Sequence, residues 1–258
     1  MSAASPPLSA ASPPMFLAPT DRIVAGDRVV LDGPEGRHAA TVRRVRPGER
    51  VDCTDGAGLL VRCQVTATGR DRLDLAVLER DRQPPPQPRI VVIQALPKAD
   101  RGELAVELLT EIGVDEVVPW AAARCVQRWS GDRGQRALAR WRSVAREAAK
   151  QSRRTWLPAV AELASTAAVT ARLPAADLGV VLHPNAAARL AAAAVPATGT
   201  VVIVVGPEGG LDAAELDAFA AADATAYRLG PTVLRTSTAG VVAVATLLAR
   251  SPRWTRRT

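Results

Sequence analysis

Residues able to do chemistry concentrate in three short runs. The first begins with the β-branched stretch Thr200-Val-Val-Ile-Val-Val205 and passes directly into Gly206-Pro207-Glu208-Gly209-Gly210-Leu211-Asp212. A buried strand that feeds a Gly-rich turn is where open parallel sheets hold ligands, because the turn lies at the carboxyl end of the strand. Gly209 and Gly210 would let backbone amides approach a ligand closely. Asp212 followed three residues later by Glu215 has the form of a capping box, so a helix starts there. The same features also describe an ordinary strand–turn–helix corner. The run is neither Gly-x-Gly-x-x-Gly nor a phosphate loop ending in Lys, so a dinucleotide or nucleoside-triphosphate site is poorly supported.

The second run is Tyr227-Arg228-Leu229-Gly230-Pro231-Thr232-Val233-Leu234-Arg235-Thr236-Ser237-Thr238. A strand end meets a Gly-Pro turn, and a helix then opens with three hydroxyl residues, any of which can serve as N-cap. Arg235 has no such structural role, because a cation at a helix N-terminus opposes the helix dipole. The third run is Arg146-Glu-Ala-Ala-Lys150-Gln151-Ser152-Arg153-Arg154-Thr155-Trp156. Cations at a helix C-terminus are favourable, which accounts for Lys150 and Arg153. Gln151, Ser152 and Arg154 are candidates to touch a nucleotide.

These runs need elements to hold them. Gln83-Pro84-Pro85-Pro86-Gln87-Pro88 cannot lie inside a helix or a central strand and reads as a stiff linker over 83–88. Before it, short β-rich stretches at 28–31, 39–45, 50–53, 59–66 and 72–78 alternate with Gly and Asp turns. Five such strands predict a small barrel over 15–82. Arg37, Arg43, Arg44, Arg46 and Arg50 cluster in it, as a solvated basic face or as a surface that contacts phosphate. After the linker, residues 89–258 alternate strands (90–93, 114–120, 177–182, 200–205) with helices (101–113, 133–152, 212–222, 236–249). That alternation predicts an α/β domain with a largely parallel sheet. In the first of these helices Leu104, Leu108 and Ile112 fall on one face, with Ala105 and Leu109 beside them.

Composition narrows the partners. The 258 residues carry a net charge of +7, and only Lys98 and Lys150 are lysines, so arginine supplies nearly all the positive charge. Arginine's planar fork suits phosphate recognition, although an Ala/Arg/Val-rich genome would produce the same average. Aromatics are 3% of a chain that is 48% hydrophobic, so the core must be mostly Ala, Val and Leu. Cys53, Cys63 and Cys125 are odd in number and lack Cys-x-x-Cys spacing, and the only histidines are His38 and His183. A disulfide framework, a zinc knuckle and a His-rich metal site are therefore not expected. Reduced thiols fit a cytoplasmic protein. Residues 1–14 have no basic start or continuous apolar run, so they read as a flexible tail rather than a signal peptide, with Met15 a candidate start. The apolar stretch 241–249 is too short to span a bilayer, and no membrane partner is expected.

Taken together, Gly206-Pro-Glu-Gly-Gly210, Leu229-Gly-Pro-Thr-Val-Leu-Arg-Thr236 and Arg146-Glu-Ala-Ala-Lys-Gln-Ser152 resemble the family of ribosomal small-subunit RNA uridine-N3 methyltransferases. Lys98-Ala-Asp-Arg101 with Glu107-Leu-Leu-Thr-Glu-Ile-Gly-Val-Asp115 matches that family's first helix, and 120–128 its following loop. The resemblance runs from about Met15 to the end. It implies a PUA-like β-barrel followed by a SPOUT-type α/β domain, a parallel sheet with a C-terminal trefoil knot. It also implies a homodimer, S-adenosyl-L-methionine as cofactor, and 16S ribosomal RNA of the small subunit as substrate. Carried onto this chain, the cofactor loops are Leu182-His183-Pro184, Gly206-Pro207-Glu208-Gly209-Gly210, and Leu229, Gly230, Pro231, Val233 and Leu234. Arg235 becomes the catalytic candidate, and Arg37, Arg43, Arg44, Arg146, Gln151, Ser152 and Arg154 the RNA-binding ones. Ser237 stands where the family usually has Glu, so no carboxylate acts there. An RNA-binding ribosome-assembly factor with weak catalysis, and an unrelated nucleotide-cofactor enzyme, are the alternatives.

Overall fold

The computed structural model describes residues 12–98 and 101–255. Most of the 1–14 tail lies outside this range, as do Ala99 and Asp100 of the Lys98–Arg101 run. The chain divides into two compact units between Pro84 and Pro85, within the Pro-rich segment.

In the first unit, β1 (Met15–Leu17), β2 (Arg28–Leu31), β3 (Arg50–Thr54), β4 (Leu59–Thr68) and β5 (Leu73–Arg82) form one sheet in the order β1-β3-β4-β5-β2. β1 runs parallel to β3, and the other pairs are antiparallel. Residues alternate in and out along the middle of β4, so Val61, Cys63 and Val65 join Phe16, Val29, Leu31 and Leu73 in the core. The helices here are short: α1 (Thr20–Ile23) and α2 (Gly33–Arg37).

The strand expected at 39–45 does not form. Residues 38–42 instead continue α2 as one wide helical turn. Asp32 is extended at the N-cap and Pro34 sits in the first turn, a start that favours helix. A strand would have placed Val42 in the core, whereas it is 68% exposed. The fifth strand is β1, whose three residues are too few to show periodicity.

The second unit holds a seven-stranded sheet. Its strands are β6 (Arg89–Ala95), β7 (Glu116–Trp120), β8 (Ala159–Val160), β9 (Leu178–Leu182), β10 (Ala188–Arg189), β11 (Thr200–Val205) and β12 (Thr225–Arg228). They lie in the order β10-β12-β9-β11-β6-β7-β8, with every pair parallel. β6, β7 and β11 are buried almost throughout, which explains their continuous apolar runs: a central parallel strand is covered on both faces. The helices are α3 (Arg101–Ile112), α4 (Gly131–Gln151), α5 (Thr166–Thr170), α6 (Ala213–Ala221), α7 (Thr236–Leu248) and α8 (Pro252–Thr255).

α3 buries a face turned from the one expected. Gly102, Ala105, Val106 and Leu109 point inward, while Leu104 is 45% exposed. The cause is Gly102, whose Cβ would lie 2.7 Å from Cζ2 of Trp141 on α4. Only a residue without a side chain allows that approach. Trp141 stacks edge-on against Trp129 with ring centroids 4.9 Å apart, so this corner contributes aromatic surface to a core otherwise made of Val, Leu and Ala.

Candidate functional site

Three adjacent strands, β12, β9 and β11, end on the same edge of the sheet, and each feeds one loop into a single cavity of about 510 Å³. β9 delivers Leu182, His183 and Pro184. β11 delivers Val205, Gly206, Pro207, Glu208, Gly210 and Leu211. β12 delivers Tyr227, and the segment after it Leu229, Gly230, Thr232, Val233, Leu234 and Arg235. Thr236 and Ala239 close it from α7, and Arg124 comes from the loop after β7. Of the proposed cofactor residues, Gly209 and Pro231 are not in the lining.

Backbone and side-chain hydrogen bonds hold the loops after β9 and β11. His183 N donates to Tyr227 O at 3.0 Å, and His183 Nδ1 accepts from Asn185 N at 3.3 Å. Arg228 Nη1 donates to the carbonyls of Ala186 and Ala187. Glu208 Oε1 accepts from Lys98 N at 3.1 Å, tying the Gly-rich turn to the segment after β6. The capping box read from sequence forms: Asp212 Oδ1 accepts from Glu215 N at 2.7 Å and Glu215 Oε2 from Asp212 N at 3.1 Å.

A Cβ at Gly209 would lie 3.1 Å from Cβ and 3.2 Å from O of Arg124, so this position packs closely against the 121–125 loop. Arg124 Nη1 also donates to Gly209 O at 3.2 Å. The resemblance of this loop to the family does not single out Arg124. A lone arginine after a strand end carries no pattern.

At α7 the N-cap is Arg235 itself, extended at φ −67° and ψ 151° and without a side-chain capping bond. None of the three hydroxyl residues takes that position; Thr238 Oγ1 instead donates back to Arg235 O at 3.2 Å. Ser237 is 3% exposed and does not line the cavity.

The RNA-binding candidates fall on both units. In the first, Arg37 and His38 line a shallow cleft with Gly33, Pro34, Val42 and Asp71. Arg37 is exposed and paired with Asp71 at 3.3 Å, and Arg43 and Arg44 are exposed. In the second unit Arg146 and Gln151 are exposed on α4, and Ser152 Oγ donates to Ala148 O at 2.7 Å.

Arg154 points inward. Its Nη1 donates to Thr110 O and Val114 O, and its Nη2 to Asp115 Oδ1. Asp115 also accepts from Arg253 and from Ile90 N. Burial pushes the Arg154 guanidinium down to about 10, partly offset by Asp115. An RNA contact by this side chain would have to break those bonds. Beside the site, burial raises the Cys125 thiol above its ordinary range. Among the described residues no cluster of His, Cys, Asp and Glu is arranged to hold a metal, and no helix is long and apolar enough to cross a membrane.

Comparison with known proteins agrees with this geometry. The model of a family described as an RNA methyltransferase domain matches residues 83–248, and one described as an RNA methyltransferase PUA domain matches 31–78. Ribosomal RNA small subunit methyltransferase E of Mycobacterium bovis is 48% identical over 233 residues, 89% of each chain. The protein of that name from Bacillus subtilis is 28% identical over 84% of this chain and 88% of its own. The crystal structure of ribosomal RNA small subunit methyltransferase E from Neisseria gonorrhoeae, bound to S-adenosyl methionine, superposes with a TM-score of 0.82. It is 29% identical and covers 93% of this chain and 98% of that one.

Proposed function

The chain belongs to the ribosomal RNA small-subunit methyltransferase E family, and from that premise we propose that it transfers the methyl group of S-adenosylmethionine to N3 of a uridine in 16S ribosomal RNA. The observation that carries this reading is the convergence of three strand-end loops and Arg235 on one cavity. Its volume falls in the range of small-molecule sites. Its lining fits a nucleoside: Leu182, Leu229, Val233 and Leu234 offer apolar surface to a base, and loop backbone groups offer donors and acceptors to its edge. Backbone recognition of that kind needs no acidic ribose partner. We also propose that the C-terminal segment is knotted, that the protein works as a homodimer, and that it acts on small subunits in the cytoplasm.

Bound S-adenosylmethionine supplies a methyl group already activated by its sulfonium. The chain must align uridine N3 with it and exclude water. N3 carries a proton that has to leave, and negative charge spreads onto the flanking carbonyl oxygens. Arg235 supplies a cation for that charge. His183 shapes the cavity rather than moving the proton, since its Nδ1 already accepts from Asn185 N. The buried position of Ser237, away from the cavity lining, favours an active enzyme over an RNA-binding factor with weak catalysis.

Calorimetric titration with S-adenosylmethionine and with NAD tests the cofactor. Binding of the first alone is expected, and preference for the dinucleotide would overturn the reading. An assembly factor would bind RNA and the cofactor without turnover.

A further inference from the structure

Glu215 is 3% exposed, yet its carboxylate joins three separate segments. Oε2 completes the capping box of α6 by accepting from Asp212 N. Oε1 accepts from Ala123 N at 2.8 Å and from Thr166 Oγ1 at 3.4 Å. The helix needs only the first of these bonds. The other two fasten the 121–125 loop and the start of α5 to the first turn of α6. The loop is held a second time by Arg124 Nη1 on Gly209 O, and it sits so close that Gly209 admits no side chain without displacement. The residue delivered by this double fastening is Arg124, exposed and in the cavity lining.

Holding a loop with a buried carboxylate is costly unless every oxygen is used, and here both are. A neutral carbonyl, Gly209 O, takes one of the five guanidinium donors, so the side chain keeps its charge and most of its donors for another partner. We propose that Arg124 is a second substrate-facing cation of the methyl-transfer site, contacting the RNA backbone or base beside the target, and that Glu215 is its positioning residue. This rests on the reading of the cavity as the cofactor site. A purely structural Glu215 would only stabilise α6.

A double-mutant cycle separates the two roles. Arg124→Ala is expected to lower kcat/KM for RNA by about 10- to 100-fold while the cofactor Kd stays within about threefold. Glu215→Ala removes both oxygens, so the bonds to Ala123 N and Thr166 Oγ1 are lost together with the capping bond. It should lower kcat/KM by about tenfold in the Arg124 background of the natural chain, and add almost nothing to Arg124→Ala. Asp212→Ala, which removes the other half of the same capping box, should lower the Tm comparably with kcat/KM near that of the natural chain. Additive losses, or a Glu215→Ala variant with unchanged kcat/KM, would sink this inference alone. Natural protein that bound no cofactor would sink the functional reading and this inference with it.

Discussion

Replacing Arg235 with Ala should make the protein slower and slightly more stable at once. The cation sits at the N-cap of the thirteen-residue α7 and makes no side-chain capping bond. Its removal therefore loses no cap and relieves an unfavourable interaction with the helix dipole of about 0.3–1 kcal/mol. For a unit of this size that corresponds to a Tm higher by roughly 1–3 °C. The rate should move the other way. Loss of one preorganised stabiliser of transition-state charge costs about two to three orders of magnitude, or roughly 3–4 kcal/mol. The assay is single-turnover methylation of unmodified small subunits at saturating cofactor and RNA, beside a thermal melt of the same preparation. If Arg235 only gripped a phosphate, saturating RNA would restore most of the rate. A near-normal single-turnover rate, or a Tm that falls by several degrees, would refute the assignment.

Other perturbations probe separate parts of the account. Burial raises the Glu116 carboxyl, but hydrogen bonds from Arg89 and Arg172 outweigh it and hold the group below its ordinary 4.5. The resulting stabilisation is present above that value and is lost as pH falls through the lower folded pKa. Glu116→Gln should therefore flatten the acid limb of a Tm–pH curve, and an unchanged limb would exclude the pairing as its cause. Gly209→Val should displace the 121–125 loop and reduce turnover more than cofactor affinity; calorimetry showing cofactor binding abolished in a folded variant would restore Gly209 to the cavity wall. RNA affinity should fall steeply with salt. Arg146→Ala should lower the log–log slope by about one. Arg154→Ala should leave the slope alone while costing about 1–3 kcal/mol of stability, because its partners are buried protein groups.

Much of the second unit was legible because periodicity and packing agree there. β11 is a continuous apolar run, its turn is glycine-rich, and the Asp212–Glu215 box forms as written. The cavity was legible for the same reason: residues at consecutive strand ends must share an edge of a parallel sheet, and eleven of the proposed cofactor residues do line it. What failed depends on contacts distant in sequence. The face that α3 buries is set by Trp141 against Gly102, and nothing local to 101–112 reports that. The 39–45 stretch has residues acceptable in either state, and the Asp32-Gly33-Pro34 start decided for helix. Arg154 looked like a free cation because its acceptors, two carbonyls and Asp115, lie about forty positions away. Arg124 escaped notice because its meaning comes from Gly209 and Glu215, far along the chain.

The central claim is the identity of the reaction, and isotopic mapping of its product tests it most directly. Small subunits lacking the modification are incubated with the protein and S-adenosylmethionine carrying a deuterated methyl group, and the 16S RNA is then digested to nucleosides. The account predicts a single mass-labelled product, 3-methyluridine, which disappears when the protein is omitted. Label on a ribose oxygen, on a base carbon or on another base would contradict it, as would no transfer by protein shown to bind both cofactor and subunit.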